Sequence, residues 1–545
     1  MVFAVTRIRE RGSWLIARNH TLAAFRTRKN RQMSRTTQCI GLALAVVLIW
    51  LPLGALQAVE RRTTLDKPNS VFIMADDHGR QAISCYGGRL IKTPNIDRLA
   101  RGGTRFTQAF ANNSICSPSR AVLLTGKYNH LCGVEKLDGH FNGAQQTFPK
   151  LLQRAGYQTA IVGKWHLFTE PTGFDYYCVL PGFGKSFDSP FKEIGQPWGD
   201  NGNRGGVVRP GYFTDVITDI SLDWLKNKCE PGKPFCLMIH HRAPHSPHDP
   251  APRHREMFKE TVFPEPPTLL DDYRGRAPEQ VADKLAWSRL LQQCEQQYQG
   301  VHKAFNGDKA HDTRLMYQSY LRNYLRMVVA LDENVGRVLD YLDRTGLATN
   351  TVVIYTSDNG FFLGEHGFYN KMWMYEDGFQ IPLIIRLPGN HGGRINPEIV
   401  SMMDIAPTIL DLYGVRVPQD IQGCSMKPLL TGETAPWRES FYYHYYGYCL
   451  PRSNNWIASE DGEIFGIRTK TAKLICYPRW SGGPFWELFD LEKDPLEIHN
   501  LYADSSHRGL RAALTRQMRA LAEQYKDFKT VAVVDALAAL PTDTN

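Results

Sequence analysis

The sequence contains no Cys-x-x-Cys pair, and its eleven cysteines (39, 85, 116, 132, 178, 229, 236, 294, 424, 449 and 476) follow no regular spacing. This excludes a zinc cluster and a disulfide scaffold, both of which need cysteines at fixed intervals, and leaves room for one or two disulfides of undetermined connectivity. The chain also lacks an excess of charge where an excess would count. Its formal +9 is concentrated in residues 1–58, where nine Lys/Arg stand against Glu10 alone, so the remainder is close to neutral at +1. No basic groove for nucleic acid is expected. Internal repeats and low-complexity tracts are absent too, which excludes a solenoid or a propeller.

A targeting leader is present. Arg31 and Arg35 precede the apolar run Ile40–Leu53, and Ala55-Leu56-Gln57-Ala58 offers small residues for cleavage. An uncleaved membrane anchor is the competing reading, but the run ends near Leu56, short of the about 20 residues that span a bilayer, so cleavage and export to the periplasm or beyond the cell are expected, with no stable membrane span afterwards. Met33 stands just before a compact basic segment and is a second candidate start, which would make residues 1–32 an upstream extension.

At 545 residues, 43% hydrophobic and 22% charged, the chain exceeds what one core usually supports. The expected division is a leader over 1–58, a catalytic domain over 59–430 and a C-terminal subdomain over 431–545. Buried strands are predicted at Ser70–Ala75, Gln158–Val162, Phe235–Ile239, Thr351–Thr356 and Leu383–Ile385, alternating with helices at Pro94–Gly102, Ser119–Thr125, Thr147–Ala155, Thr214–Lys226 and Met316–Thr345. This is the pattern of an α/β sandwich. Polar residues follow each strand: Asp76-Asp77-His78, Lys164-Trp165-His166, His240 to His248, Asp358-Asn359 and Arg386. Ligands of open α/β sheets bind beyond the carboxyl ends of strands, so these five segments are expected to meet in one crevice. Pro250 to about Ala310 reads as an irregular excursion beside that crevice. Aromatic segments at Phe441–Tyr448, Ile464–Thr469, Lys473–Tyr477 and Glu487–Asp490, with a helix over Ser506–Tyr525, predict a small antiparallel sheet. Leu540–Asn545 should fray.

Cys116 opens the run Cys116-Ser117-Pro118-Ser119-Arg120, which continues through Leu124-Thr125-Gly126. The proline suits a first helical turn. A helix mouth draws anions, and the guanidinium of Arg120 matches a tetrahedral oxyanion. Asp76, Asp77, Asp358 and Asn359 together offer the hard oxygens that calcium or magnesium prefer, although Asp pairs at strand ends also simply cap turns.

In these residues the chain resembles the formylglycine-dependent sulfatases, whose Cys-x-Pro-Ser-Arg signature it matches over Cys116–Gly126 without a departure. The resemblance implies an alkaline-phosphatase-like α/β/α sandwich with a small C-terminal α+β subdomain. It implies that Cys116 is oxidised to formylglycine by a maturing enzyme, and that Asp76, Asp77, Asp358, Asn359 and the modified Cys116 hold one calcium ion. With Cys39 removed and Cys116 so used, nine cysteines remain, and at least one stays unpaired within the chain. Gly163-Lys164-Trp165-His166-Leu167 resembles a second family motif, which implies that the lysine binds sulfate and the histidine assists the formylglycine hydrate. Phe168 stands where the family often has glycine, a difference expected to alter the loop's shape. By the same resemblance His245, in Ala243-Pro244-His245-Ser246-Pro247, is expected to contact the ester, and Lys371 to lie near the leaving oxygen. His240, His241 and His248 are ambiguous, with a satisfied structural histidine as the default for each. In the family's reaction one hydroxyl of the hydrate attacks sulfur and the second later expels sulfate, with His245 or Lys371 protonating the leaving oxygen and His166 taking the hydroxyl proton. Met403–Thr408 and Leu488–Leu501 extend the match without carrying chemistry.

The substrate so implied is a sulfated carbohydrate, a glycosaminoglycan or an algal polysaccharide. Phe141 to Thr147 and Asp175 to Gly184 resemble the N-acetylglucosamine-6-sulfatase and iduronate-2-sulfatase branches. Two alternatives stand beside it: a phosphomonoester, phosphodiester or phosphonate hydrolase of the same superfamily, and a non-catalytic glycan-binding relative, which would lack the nucleophile or metal residues that are all present here.

Overall fold

Strand β1 (Asn69–Asp76) is buried along its whole length and has parallel partners on both sides, which is why it reads as an unbroken apolar run rather than an alternating one. It lies near the middle of a ten-stranded mixed sheet in the computed structural model, which describes residues 67–198, 204–277, 300–389, 392–447, 462–479 and 483–538. The other strands are β2 (Thr104–Phe110), β3 (Gln158–Lys164), β4 (Tyr176–Leu180), β5 (Phe187–Glu193), β6 (Val207–Tyr212), β7 (Phe235–Pro244), β8 (Thr351–Ser357), β9 (Leu383–Arg386) and β10 (Arg394–Ser401), in the order β10-β2-β9-β8-β1-β7-β3-β4-β5-β6. The leader, Leu540–Asn545, and Cys39, Cys294 and Cys449 lie outside the described residues. The eight described cysteines are all free thiols.

The two faces of β1 bury different helices. Val71, Ile73 and Ala75 pack with α1 (Pro94–Arg101), α4 (Phe213–Asp223) and α5 (Lys309–Arg344). Phe72 and Met74 pack with α2 (Cys116–Thr125), α3 (Phe148–Arg154) and α6 (Ile405–Leu412). Helix α5 begins seven residues before the expected Met316, because the Asp308 carboxylate caps the His311 N–H at 2.7 Å. The helix expected over Thr214–Lys226 is regular only to Asp223 and ends in a π turn over Trp224–Lys228.

One of the five expected strand ends does not join the others. Strand β9 runs antiparallel to β8, with Arg386 opposite Val353, so Arg386 lies at the far end of the sheet, where its side chain faces Gly102. Strand β2, not foreseen, takes its place: it runs parallel to β1 and leads through Ala111–Ile115 into Cys116.

The C-terminal sheet is antiparallel as expected, with β11 (Ser440–Tyr446), β12 (Glu463–Thr469), β13 (Ala472–Tyr477) and β14 (Phe485–Asp490) in sequence order. Helix α7 (Arg508–Gln524) packs on one face, and an unforeseen α8 (Phe528–Ala538) follows. The opposite face, with Phe441, Tyr443 and Ile475, buries Cys116, Met372, Trp373 and Tyr375. This sheet is therefore the backing of the Lys371 segment. Asp404, within the Met403–Thr408 stretch, is buried and receives both Arg438 terminal nitrogens at 2.7 and 2.6 Å, the Ser401 N–H at 2.7 Å and the Cys424 N–H at 2.8 Å. Arg438→Ala strands a buried carboxylate and is expected to lower unfolding free energy by about 3 kcal/mol, read by urea denaturation. An unchanged midpoint would deny the pair that role.

Candidate active site

Cys116 is the first residue of α2, preceded by Ile115 in extended conformation, so its side chain emerges where the helix's first N–H groups remain free for an anion. It is 1% exposed. Its thiol donates to Asp76 Oδ1 at 3.3 Å, and Lys371 Nζ donates to its sulfur at 3.1 Å. Burial and the Asp76 charge push the encoded thiol up to about 12, so it is protonated near neutral pH.

Four strand ends deliver the rest. Asp76 ends β1, and Asp77 follows with a left-handed φ of 65° that turns its carboxylate back toward the site. Asp358 follows β8 and receives Arg120 Nε at 3.1 Å and Nη2 at 2.9 Å. Carboxylate oxygens of Asp76, Asp77 and Asp358 lie within 4.8 Å of one another. Three cations answer them: Lys164 bonds Asp76, Lys371 bonds Asp77 and Arg120 bonds Asp358. Burial would raise the Asp76 carboxyl, but Lys164, His245, Arg120 and Lys371 hold it well below the usual range. Asp358, pushed up by its own burial and by Asp76, reaches about 7 despite Arg120.

Asn359 donates from Nδ2 to Asp77 Oδ1 at 2.7 Å and to the Gly360 carbonyl at 3.0 Å. Its Oδ1 is buried with no hydrogen-bond partner among the described residues. An orphaned amide oxygen beside three converging carboxylates is a donor set that fits a hard divalent cation.

The histidines ring this cup. His166, also left-handed at φ 57°, is buried, and burial followed by the Lys164 charge depresses its basicity well below the usual value. His245 is 15% exposed on its side chain and has Nε2 3.6 Å from Asp77 Oδ2, with Nδ1 2.6 Å from the Ser246 carbonyl. Burial brings it to about 4. His240, read from sequence as structural, stands inside the site, its Nδ1 3.3 Å from Arg120 Nη1 and 3.3 Å from the Lys164 carbonyl. Phe168 has φ 65°. That left-handed conformation is the one glycine adopts most readily, and Phe168 in it places a ring 5.7 Å from the His166 ring.

The Lys371 segment is held from outside the large sheet. Tyr443 donates to the Met372 carbonyl at 2.7 Å, and Lys473 to the Met374 carbonyl at 2.8 Å and to Glu497 at 2.5 Å. Glu497 lies in the Leu488–Leu501 stretch, which carries no reacting group but anchors one that does. The excursion after Pro250 also reaches this segment, through Tyr273 stacked on Phe368 at 5.3 Å. Phe183, which lies in the Asp175 to Gly184 segment but was not itself foreseen as a site residue, sets its ring over Lys164 Nζ at 5.0 Å.

The sulfatase family model matches residues 68–415, and the N-sulphoglucosamine sulphohydrolase C-terminal model matches residues 364–524. The chain belongs to the sulfatase family. This sulfatase is 41% identical to the N-acetylglucosamine-6-O-sulfatase of Bacteroides thetaiotaomicron, over 88% of its own length and 91% of the relative's. A solved structure of a protein in complex with its substrate D-glucosamine-2-N,6-O-disulfate matches with a TM-score of 0.75 at 40% identity, covering 85% of this chain and 98% of that one. The phosphonate monoester hydrolase of Agrobacterium radiobacter shares the fold, with a TM-score of 0.65 at 22% identity over 84% of this sulfatase and 96% of that enzyme. The anticipated alkaline-phosphatase-like architecture is thus the fold of this sulfuric ester hydrolase, and of the two branches foreseen, the 41% identical relative is of the N-acetylglucosamine-6-sulfatase kind.

Proposed function

We propose that this sulfatase is exported and removes the 6-O-sulfate of N-acetylglucosamine units in a sulfated carbohydrate, acting in the periplasm or outside the cell, with a calcium ion and with formylglycine made from Cys116 by a maturing enzyme. The observation that carries the reading is the convergence of Arg120, Lys164 and Lys371 with three carboxylates around one buried cysteine at a helix mouth. No described helix is long and apolar enough to cross a membrane.

Asp76, Asp77, Asp358, Asn359 and residue 116 would hold the calcium, which supplies Lewis acidity toward a sulfonyl oxygen. Formylglycine supplies a hydrated aldehyde whose hydroxyl is the nucleophile. The chain's own groups do the rest. A sulfate monoester loses an alkoxide while negative charge spreads over the sulfonyl oxygens, and Arg120 and Lys164, both fully buried, oppose that charge in a medium that screens it little. His166, uncharged through burial, is free to accept the hydroxyl proton. The leaving oxygen needs an N–H. His245 directs its Nδ1 proton to Ser246, so in its neutral form Nε2 carries a lone pair, whereas Lys371 remains a donor. Lys371 is therefore assigned to the leaving oxygen, and His245 to the ester's flank.

The shared fold of the phosphonate monoester hydrolase keeps a second reading, phosphoryl chemistry, in view. Enzyme co-expressed with a formylglycine-generating enzyme is expected to show kcat/KM on 6-O-sulfated N-acetylglucosamine at least about a hundredfold above that on an aryl phosphate, about 2.7 kcal/mol of transition-state preference. A preference for phosphate would overturn the proposal.

A further inference from the structure

The charged and nucleophilic members of the site are buried, yet the residue lying beside Lys164, His166 and His245 is not. Phe183 is 43% exposed. Its ring lies over Lys164 Nζ at 5.0 Å and meets the His166 ring at 4.4 Å and the His245 ring at 5.5 Å between centroids. From His166 the aromatic surface continues to Phe168 at 5.7 Å and on to exposed His140 at 5.2 Å. Burying such a ring would stabilise the fold by about 2 kcal/mol, and here much of that gain is forgone. The loop is built to hold it there. Glycines at 182 and 184 turn the chain with φ of 62° and 69°, a Cβ on Gly184 would meet Ser189 Oγ at 2.9 Å, and Ser189 Oγ accepts the Lys185 N–H at 2.9 Å. The ring is thereby a fixed surface beside the cations rather than a loose flap.

We propose that Phe183 determines specificity by offering the surface on which the pyranose bearing the sulfate rests. The axial C–H bonds of a pyranose form an apolar face with a weak positive edge, which complements the negative face of an aromatic ring. Ligand sites of this kind pair aromatic walls with a few placed polar groups, and here the cations would hold the sulfate while the ring orients the sugar. The inference rests on the reading of the substrate as a sulfated sugar.

The test compares formylglycine-bearing wild type, Phe183→Ala and Phe183→Trp on 6-O-sulfated N-acetylglucosamine, with inorganic sulfate as an inhibitor that meets the cations but has no ring. Phe183→Ala is expected to raise KM about tenfold with kcat held within about threefold, to leave the sulfate inhibition constant within about twofold, and to be rescued by tryptophan. An unchanged KM in Phe183→Ala, with wild type active, would overturn the platform alone. So would a sulfate inhibition constant rising in step with KM, since the ring would then merely shield the cations. Wild type that cleaves aryl phosphate and no sulfated saccharide would instead overturn the substrate reading, and the platform with it.

Discussion

Cys116→Ala loses turnover by about a millionfold, because it removes the thiol through whose oxidation the side-chain carbon would become the aldehyde, and the remaining cations cannot act without a nucleophile. The substitution leaves the helix intact: alanine is the better helix former, and the lost contacts are single hydrogen bonds to Asp76 and from Lys371. Stability should therefore change by no more than about 1 kcal/mol, which separates a chemical loss from an unfolded protein. Wild type expressed without a maturing enzyme is expected to fail as completely as the alanine variant, because the encoded thiol is protonated at neutral pH. The peptide spanning residue 116 should show, in active protein only, the mass of a side chain that has lost sulfur and two hydrogens and gained oxygen. Full activity from protein whose peptide carries an unmodified thiol would refute the assignment.

Much of this site is legible in the sequence because its members follow strands that are buried on both faces and so appear as uninterrupted apolar runs with polar ends. Asp76, Lys164, His240 and Asp358 all follow from that rule. Strand β2 escapes it, since Thr104–Phe110 is only partly buried and mixes Arg105, Thr107 and Gln108 among its apolar residues. Strand β10 pairs with β2 alone and holds Pro397 and charged residues, as an edge strand can. Arg386 misleads for a different reason: an apolar run gives no direction, and a strand entered from the opposite end carries its polar flank away from the crevice. The support of Lys371 by Tyr443 and Lys473 spans more than 70 residues of chain, and Phe183 belongs to no periodic pattern. Both are products of tertiary packing.

Removing calcium is expected to lower activity by at least about a thousandfold, and adding it back to restore activity, because the carboxylates of Asp76, Asp77 and Asp358 would otherwise spend Lys164, Lys371 and Arg120 on neutralising one another. The informative variant is Asn359→Ala. Replacing any of the three carboxylates would strand a buried cation and confound metal loss with misfolding, whereas Asn359 contributes a neutral oxygen that no group among the described residues uses. Its loss should weaken calcium affinity about 10- to 100-fold, and because the Nδ2 bonds to Asp77 and Gly360 are lost with it, each protein's calcium shift is read against its own metal-free form. Thermal unfolding reads this without reference to turnover: calcium at about 100 times its dissociation constant stabilises the wild type by about 2.7 kcal/mol, and the same concentration should stabilise Asn359→Ala by about 0.4 to 1.4 kcal/mol. Equal calcium shifts in the two proteins would remove Asn359 from the cup. No shift in either, with activity indifferent to chelation, would remove the metal from the site.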